Sequence, residues 1–332
     1  MIRLIDQTLL PATEQHIDVT TVDVLVESIE RLVIRGAPAL GAAGALGVAL
    51  TMIQGADEGW DAARLESEID RIRDARPTAV NLAWGVNQVR ASVPSGIATV
   101  LELARKVVAD DEAANRQLSQ HGADWILAHV EKDKVRVVTH CNTGALATSA
   151  WGTAYGIIHE LHQRGRLGLV YADETRPLLQ GARLTSWELL NDGIEHVVQA
   201  DSAAASTILR GLVDVAILGA DRIAANGDTA NKVGSVGLAL ACQRAGIPFV
   251  VAAPSSTIDL AIARGEDIVI EERDEDEVLC FAGVRTVPEG VRGFNPAFDV
   301  TPHDLISIVV TERGVAETAT DTRPDVIATI AG

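Results

Sequence analysis

The chain has 332 residues, 47% hydrophobic, 22% charged and 3% aromatic, with a formal net charge of −18. That length exceeds one typical core and suits two domains; apolar content carried by Ala, Val, Ile and Leu fits helices on a parallel sheet better than an aromatic-rich β-sandwich. The acidity and the lack of a basic stripe argue against a nucleic-acid partner, and an anionic ligand would need a local cluster of Arg, Lys or backbone amides.

The three cysteines, Cys141, Cys242 and Cys280, are odd in number and widely spaced. They form neither a disulfide framework nor a zinc motif and suit a reducing, cytoplasmic setting. The opening MIRLIDQTLLPATEQ has no basic segment followed by an apolar core, so no secretory signal is expected. The uncharged stretch from Ala37 to Ile53 is short for a membrane span, rich in Ala and Gly, and carries Pro38 near its start. It reads as a buried helix of a soluble core, and no membrane partner is expected.

In chain order, a helix is predicted from about Val22 to Ile34, with Val22, Leu25, Val26, Ile29 and Val33 at helical spacing. It ends near Arg35-Gly36, and an Ala-rich helix starts just after Pro38. An amphipathic helix over Asp61 to Ala75 is broken by Arg76-Pro77-Thr78-Ala79-Val80-Asn81-Leu82, and a long helix runs from about Gly96 to Val130. From Lys134 onward short apolar strands alternate with helix-sized intervals: Val135–Thr139, Leu167–Tyr171, His196–Gln199, Val213–Leu218 and Pro248–Ala252. This is the pattern of βαβ units and a parallel sheet covered on both faces. The predicted fold is α/β, with a mixed, mostly helical domain over residues 1–125 and a doubly wound, Rossmann-like domain over 126–332. The run Gly41-Ala-Ala-Gly44-Ala-Leu-Gly47 has the wrong spacing for a dinucleotide fingerprint and follows no strand, so no NAD or FAD cofactor is expected.

Open parallel sheets bind ligands beyond the carboxyl ends of their strands. The predicted ends deliver Thr139-His140-Cys141-Asn142-Thr143-Gly144, Asp173-Glu174-Thr175-Arg176-Pro177, Asp201-Ser202, Gly219-Ala220-Asp221-Arg222 and Pro254-Ser255-Ser256. Cys141 sits where a strand is expected to pass through a Gly-containing turn into a helix, whose amides and dipole favour a thiolate. Structural burial is the commoner fate of a free cysteine, but the polar neighbours of Cys141 favour function. Cys242 and Cys280 lack such neighbours and read as packing residues. Asp221 closes the apolar run Val-Ala-Ile-Leu-Gly-Ala. A carboxyl there is either an acid tuned by desolvation, an N-cap, or a partner of Arg222. The segment Asn226-Gly227-Asp228-Thr229-Ala230-Asn231-Lys232-Val233-Gly234 reads as a polar loop entering a helix, whose amides and Lys232 suit a phosphate. Arg35 at a helix start and Arg76 before a proline are each either a phosphate ligand or a surface ion-pair partner. His159 and His162 stand at i, i+3 without a third ligand, so no metal is expected.

Taken together, five motifs resemble the methylthioribose-1-phosphate isomerase family over nearly the whole chain. They are Arg35-Gly36-Ala37-Pro38-Ala39-Leu40-Gly41, the run Thr139 to Thr148, Glu174-Thr175-Arg176-Pro177 with Gln180 to Thr185, Gly219-Ala220-Asp221-Arg222-Ile223 through Asn231-Lys232, and Asn295 to Pro302. The resemblance implies an aldose–ketose isomerase acting on 5-methylthioribose 1-phosphate in methionine salvage, with Cys141 and Asp221 as the catalytic pair. It further implies that Arg35, Gly36, Ala37, Arg76, Gln180, Asn231 and Lys232 line the substrate site, in a homodimer using no metal or nucleotide. Isomerases of 5-deoxyribose 1-phosphate and ribose 1,5-bisphosphate belong to the same family. Its distant relatives are regulatory subunits of a translation-initiation exchange factor, which generally lack the Cys/Asp pair; a non-catalytic sugar-phosphate-binding regulator is the alternative of another class. The chain starts slightly later than family members do, which puts the family's first strand in question.

Overall fold

A computed structural model describes residues 1–77, 80–318 and 324–331, so Thr78 and Ala79 of the expected helix-breaking segment lie outside the described residues. The chain divides into two compact units, one of residues 1–116 with 143–153 and one of residues 117–142 with 154–332.

The first unit opens on a hairpin: β1 (Ile2–Ile5) pairs antiparallel with β2 (His16–Val19), so an N-terminal strand is present. Helix α1 (Val22–Glu30) starts at Thr21, whose hydroxyl accepts from Val24 N at 3.3 Å. It stops before the expected Ile34 because the chain turns at Leu32, with φ of 61°. Helix α2 (Ala37–Glu58) is long and apolar enough to cross a membrane by length and composition, yet 78% of its most apolar stretch is buried inside the protein. Helix α3 (Ala62–Asp74) is capped by Asp61, which accepts from Arg64 N at 2.8 Å.

Helix α4 (Val80–Arg90) was not expected. Its buried residues Leu82, Val86 and Val89 follow helical spacing, but Asn81 and Gly85 among them blur the apolar stripe. Gly85 has a packing reason: a Cβ there would lie 1.9 Å from the carbonyl of Gly41, so α4 crosses α2 at backbone contact. Helix α5 (Ile97–His129) places Val100 and Ala104 in the first unit's core and Leu118, Ala123 and Ile126 in the second's.

In the second unit the elements run β3 (Val135–Thr139), α6 (Ala154–Gln163), β4 (Leu167–Asp173), α7 (Ser186–Asn191), β5 (His196–Gln199), α8 (Ala204–Leu209), β6 (Val215–Leu218), β7 (Arg222–Ala224), β8 (Thr229–Lys232), α9 (Ser235–Ala245) and β9 (Phe249–Ala252). There follow β10 (Ile258–Asp259), α10 (Asp276–Leu279), β11 (Cys280–Phe281), β12 (Val284–Arg285), β13 (Phe298–Thr301), β14 (Ile308–Thr311), β15 (Gly314–Glu317) and α11 (Pro324–Ala328).

The main sheet has the order β15-β14-β9-β6-β3-β4-β5. Its parallel strands, counted along the chain, stand 3-2-1-4-5-6, the doubly wound arrangement; β15 pairs antiparallel with β14 at one edge. Neither β14 nor β15 was expected, although Ile308-Val-Val-Thr311 has the apolar character of a buried strand. Alternate residues feed opposite faces. Val137, Val170, Ile217 and Val250 pack with Leu118, Ile126, Ile157 and Leu161, while Val138, Ala216, Leu218 and Val251 pack with Ile208 and Leu238. Each such buried side chain contributes about 1.5–3 kcal/mol relative to exposure. A smaller sheet, β10-β7-β8-β13, holds the segment expected to be a loop: Thr229–Lys232 is a fully buried strand paired with both β7 and β13.

Candidate active site

The winding of the main sheet reverses between β3 and β6, which pair in register Val137↔Val215 and Val138↔Ala216. At such a switch point the connections depart to opposite faces and open a crevice beyond the strand ends. Cys141 follows β3 there and Asp221 follows β6. A hydrogen bond from Thr139 Oγ1 to Ile217 O, 2.8 Å, ties the two strands at that end. Topology therefore brings the two candidate catalytic residues to neighbouring strand ends.

The surroundings of Cys141 differ from the expectation. No helix N-terminus follows it directly, since the next helical turn is only Ala145–Ala147 and α6 starts at Ala154. Cys141 is instead a buried left-handed residue with φ of 65°. Its N–H donates to Thr175 Oγ1 at 2.9 Å, and its carbonyl accepts from Thr185 Oγ1 at 2.6 Å. Next to it, Asn142 Nδ2 donates to Glu188 Oε2 at 2.5 Å.

On the other side stands His140, buried, with Nδ1 3.0 Å from Asp173 Oδ2 and Nε2 2.9 Å from Val233 O. A carbonyl can only accept, so Nε2 carries a proton and a second proton lies between Nδ1 and the carboxylate. Burial works against the charged imidazolium, but the Asp173 contact outweighs it and raises the His140 pKa above its ordinary value. Burial also raises that of Asp173, opposed by the bond from His140. Asp173 Oδ1 accepts from Gln199 Nε2 at 2.9 Å. Asp201 uses both oxygens on backbone amides, those of Thr175 and Arg176, each at 2.7 Å. The His140, Asp173 and Asp201 ligand atoms lie within 4.8 Å of one another, a spacing a metal ion could use. These atoms are engaged within the chain, which makes the cluster a hydrogen-bonded brace. Of the two histidines weighed for a metal, His162 is exposed, while His159 accepts from Gln163 Nε2 at 3.3 Å and lies 3.5 Å from Asp192.

Asp221 is half-buried, and its N–H donates to Ala230 O at 2.9 Å. The hairpin β7–β8 follows it, so it caps no helix, and Arg222 lies 4.0 Å from Asp259. Asn231 and Lys232 are buried in β8. Asn231 Nδ2 donates to Ser235 Oγ at 2.9 Å. Lys232 Nζ donates to Ala297 O at 2.7 Å and lies 4.6 Å from the Phe298 ring centroid.

The N-terminus of α9, expected to receive a phosphate, already holds an anion. The Asp299 carboxylate accepts from Gly234 N at 2.7 Å and from Val236 N at 3.3 Å. Burial raises the pKa of Asp299, and those amide bonds oppose the rise.

The remaining candidates divide between the units. Gln180, in the second, is buried just ahead of the π-helical turn Gly181–Thr185, and its Oε1 has no hydrogen-bond partner among the described residues. A buried acceptor left this way is unusual unless something else is to bind it. In the first unit, half-buried Arg35, Gly36 and Ala37 form the start of α2. Gly36 has φ of 98°, and a Cβ there would lie 2.4 Å from Ala147 O, so only glycine fits. Gly36 has no side chain to cap this end, and its first turn carries no acidic residue. Arg76 is half-buried in the turn after α3. Of the other cysteines, Cys242 is buried in α9, its thiol pushed up to about 12 by desolvation, and Cys280 is half-buried. Thr175, Thr185, Asp173, Asp201 and Asp299 were not singled out as site residues from sequence, although each lies within or beside a motif that was.

Residues 33–318 match the Initiation factor 2 subunit family. A probable bifunctional methylthioribose-1-phosphate isomerase/methylthioribulose-1-phosphate dehydratase of Nocardia farcinica is 51% identical over 94% of this chain; the chain spans 56% of that relative's length. The methylthioribose-1-phosphate isomerase of Gloeobacter violaceus is 46% identical over 94% of this chain and 89% of its own. Among solved structures, 5-methylthioribose 1-phosphate isomerase from Pyrococcus horikoshii superposes with a TM-score of 0.86 at 39% identity, covering 95% of this chain and 89% of that one. The structure titled translation initiation factor eIF-2B, subunit delta, from A. fulgidus gives 0.84 at 37%, covering 98% and 96%. With a family match over most of its length and close relatives matched nearly end to end, the chain belongs to the initiation factor 2 subunit family and, within it, to the methylthioribose-1-phosphate isomerases.

Proposed function

We propose that the chain isomerises 5-methylthioribose 1-phosphate to 5-methylthioribulose 1-phosphate, a step of methionine salvage, with Asp221 and Cys141 as its catalytic pair. The observation that carries this reading is the delivery of a carboxyl and a thiol to neighbouring strand ends at the switch point, in a chain about half identical to relatives named for that reaction.

Phosphate on O1 locks the sugar as a furanose, so ring opening through a free anomeric hydroxyl is closed off. An acid must protonate the ring oxygen, and Asp221 takes that role. Hydrogen then moves from C2 to C1 by one of two routes. In the first, a Cys141 thiolate removes the C2 proton to give an enolate-type intermediate, and a proton is then delivered to C1 as the C2 hydroxyl gives up its own. In the second, the hydrogen passes as a hydride while Asp221 takes the C2 hydroxyl proton and Cys141 steadies the transition state. Reaction in deuterated water separates them: deuterium at C1 of the product marks the proton route, and its absence marks the hydride route.

The substrate phosphate is assigned to Arg35 with the amides of Gly36 and Ala37, helped by Arg76, because the start of α2 presents amides in a first turn that carries no acidic residue. Gln180, with its buried unpartnered Oε1, and Asn231 and Lys232 are assigned to the sugar. Residues 1–125 are read as the domain that carries Arg35, Gly36, Ala37 and Arg76, and residues 126–332 as the catalytic domain. The enzyme is placed in the cytoplasm, in keeping with three free cysteines, and as a homodimer, which sedimentation of the purified protein checks.

Steady-state rates on the 1-phosphates of methylthioribose and 5-deoxyribose and on ribose 1,5-bisphosphate, measured side by side, test the substrate. The methylthio sugar is expected to give the highest kcat/KM, and a bisphosphate preference would overturn that. A non-catalytic role of the kind that the name of the eIF-2B delta subunit suggests would show as sugar-phosphate binding with no turnover of any of the three.

A further inference from the structure

Resting on the reading of Cys141 as the working thiol, the geometry points to Thr175 and Thr185 as its positioning residues: two buried hydroxyls hold the peptide groups on either side of Cys141 and keep it left-handed. Cys141 has φ of 65°, a region that costs a non-glycine residue and persists only where the surroundings impose it. Here the imposing groups are identifiable, one on each side of the residue.

Thr175 Oγ1 donates its single proton to Asp173 O at 3.1 Å, which leaves its lone pairs for the N–H of Cys141 at 2.9 Å. Thr175 is itself left-handed, with φ of 65°. A β-branched residue is a rare choice there, and a glycine would relieve the strain while losing the hydroxyl. The strain at Thr175 is in turn braced by Asp201, whose carboxylate accepts its N–H at 2.7 Å. A chain of bonds thus runs across three consecutive strand ends, from Asp201 after β5, through Thr175 after β4, to Cys141 after β3.

Thr185 acts on the other peptide. In a helix a threonine hydroxyl commonly bonds the carbonyl one turn back. Thr185 closes the π-helical turn Gly181–Thr185, and its Oγ1 donates instead to Cys141 O at 2.6 Å, accepting from Asn142 Nδ2 at 3.3 Å. Both threonines are buried, with their only protons committed, so they act on the reaction through Cys141. Fixing its backbone fixes the direction in which Cα projects the thiol, and small misplacements at a reacting centre are expensive in rate.

The test compares T185V and T175V, which remove one hydroxyl each at nearly constant volume, with T185S, which keeps it. T185V is expected to lower kcat about ten- to a hundredfold with KM changed less than about threefold. T185S is expected to recover at least about a third of the wild-type kcat. Independently of turnover, alkylation of Cys141 by iodoacetamide, followed by peptide mass spectrometry, should change at least about threefold in T185V, with Cys280 as the unchanged internal reference. C141A is run beside them. Wild-type turnover in C141A would sink the catalytic reading of Cys141, and this inference with it. An inactive C141A together with wild-type kcat in both valine variants would overturn only the positioning role, as would equal losses in T185V and T185S. Should T185V fail to fold, T175V carries the comparison by the same two readouts.

Discussion

The two units hold their candidate site residues in opposite ways. The first offers backbone: Gly36, admitted only because it lacks a side chain, opens a helix whose first turn carries no acidic residue. The second offers side chains fixed by other side chains, in the chains Asp201–Thr175–Cys141 and Gln199–Asp173–His140. Their helix starts show the contrast directly. Both starts lack an acidic residue in their own first turn, but the amides of α9 are taken by Asp299 from β13, while α2 begins at a glycine. An anion site therefore needs more than a helix end; it needs one the chain has not already neutralised.

This contrast can be broken experimentally, starting from the largest effect. C141A and D221N should each lower kcat about a hundred- to ten-thousandfold with circular dichroism unchanged, and activity within threefold of wild type in both would remove the catalytic pair. G36A should cost more than ~2 kcal/mol of stability as well as substrate affinity, because its Cβ meets Ala147 O; a melting curve that matches wild type would show that the α2 start can relax.

The His140–Asp173 brace predicts a pH effect of defined sign. Both pKa values are raised on folding, so the folded state holds its protons longer than the unfolded state does. The stability from protonated His140 is present below the ordinary histidine value and is lost as pH rises through the raised one; Asp173 acts in the same direction from above its own ordinary value. Followed upward from about pH 6, the wild-type Tm should fall more steeply than that of D173N. Parallel slopes would mean the two groups do not share a proton. The smallest effect is D299N, expected to cost about 1 kcal/mol through a weakened α9 cap while leaving KM unchanged. A lower KM in D299N would instead return the phosphate to α9.

Much of this was legible in the chain. The strands Val135–Thr139 and His196–Gln199 and the span of α5 follow from apolar runs and helical periodicity, which are local signals. Helix α4 was hidden because Asn81 and Gly85 interrupt its stripe, and the reason for Gly85 lies on another helix, at Gly41. Strand β8 was hidden because Thr-Ala-Asn-Lys is a polar string that becomes buried only between β7 and β13.

Taken alone, the sequence determined the α/β class and the polar strand ends, and nominated Cys141 and Asp221 as candidates among them, since strand length, burial pattern and residue chemistry are written locally. Tertiary structure alone decided that β3 and β6 are neighbours and that Asp299 fills the α9 terminus. It also decided that Thr175 and Thr185 hold Cys141. Each of these depends on groups tens of residues apart in the chain, whose meeting is set by strand order and helix packing and leaves no trace in local periodicity.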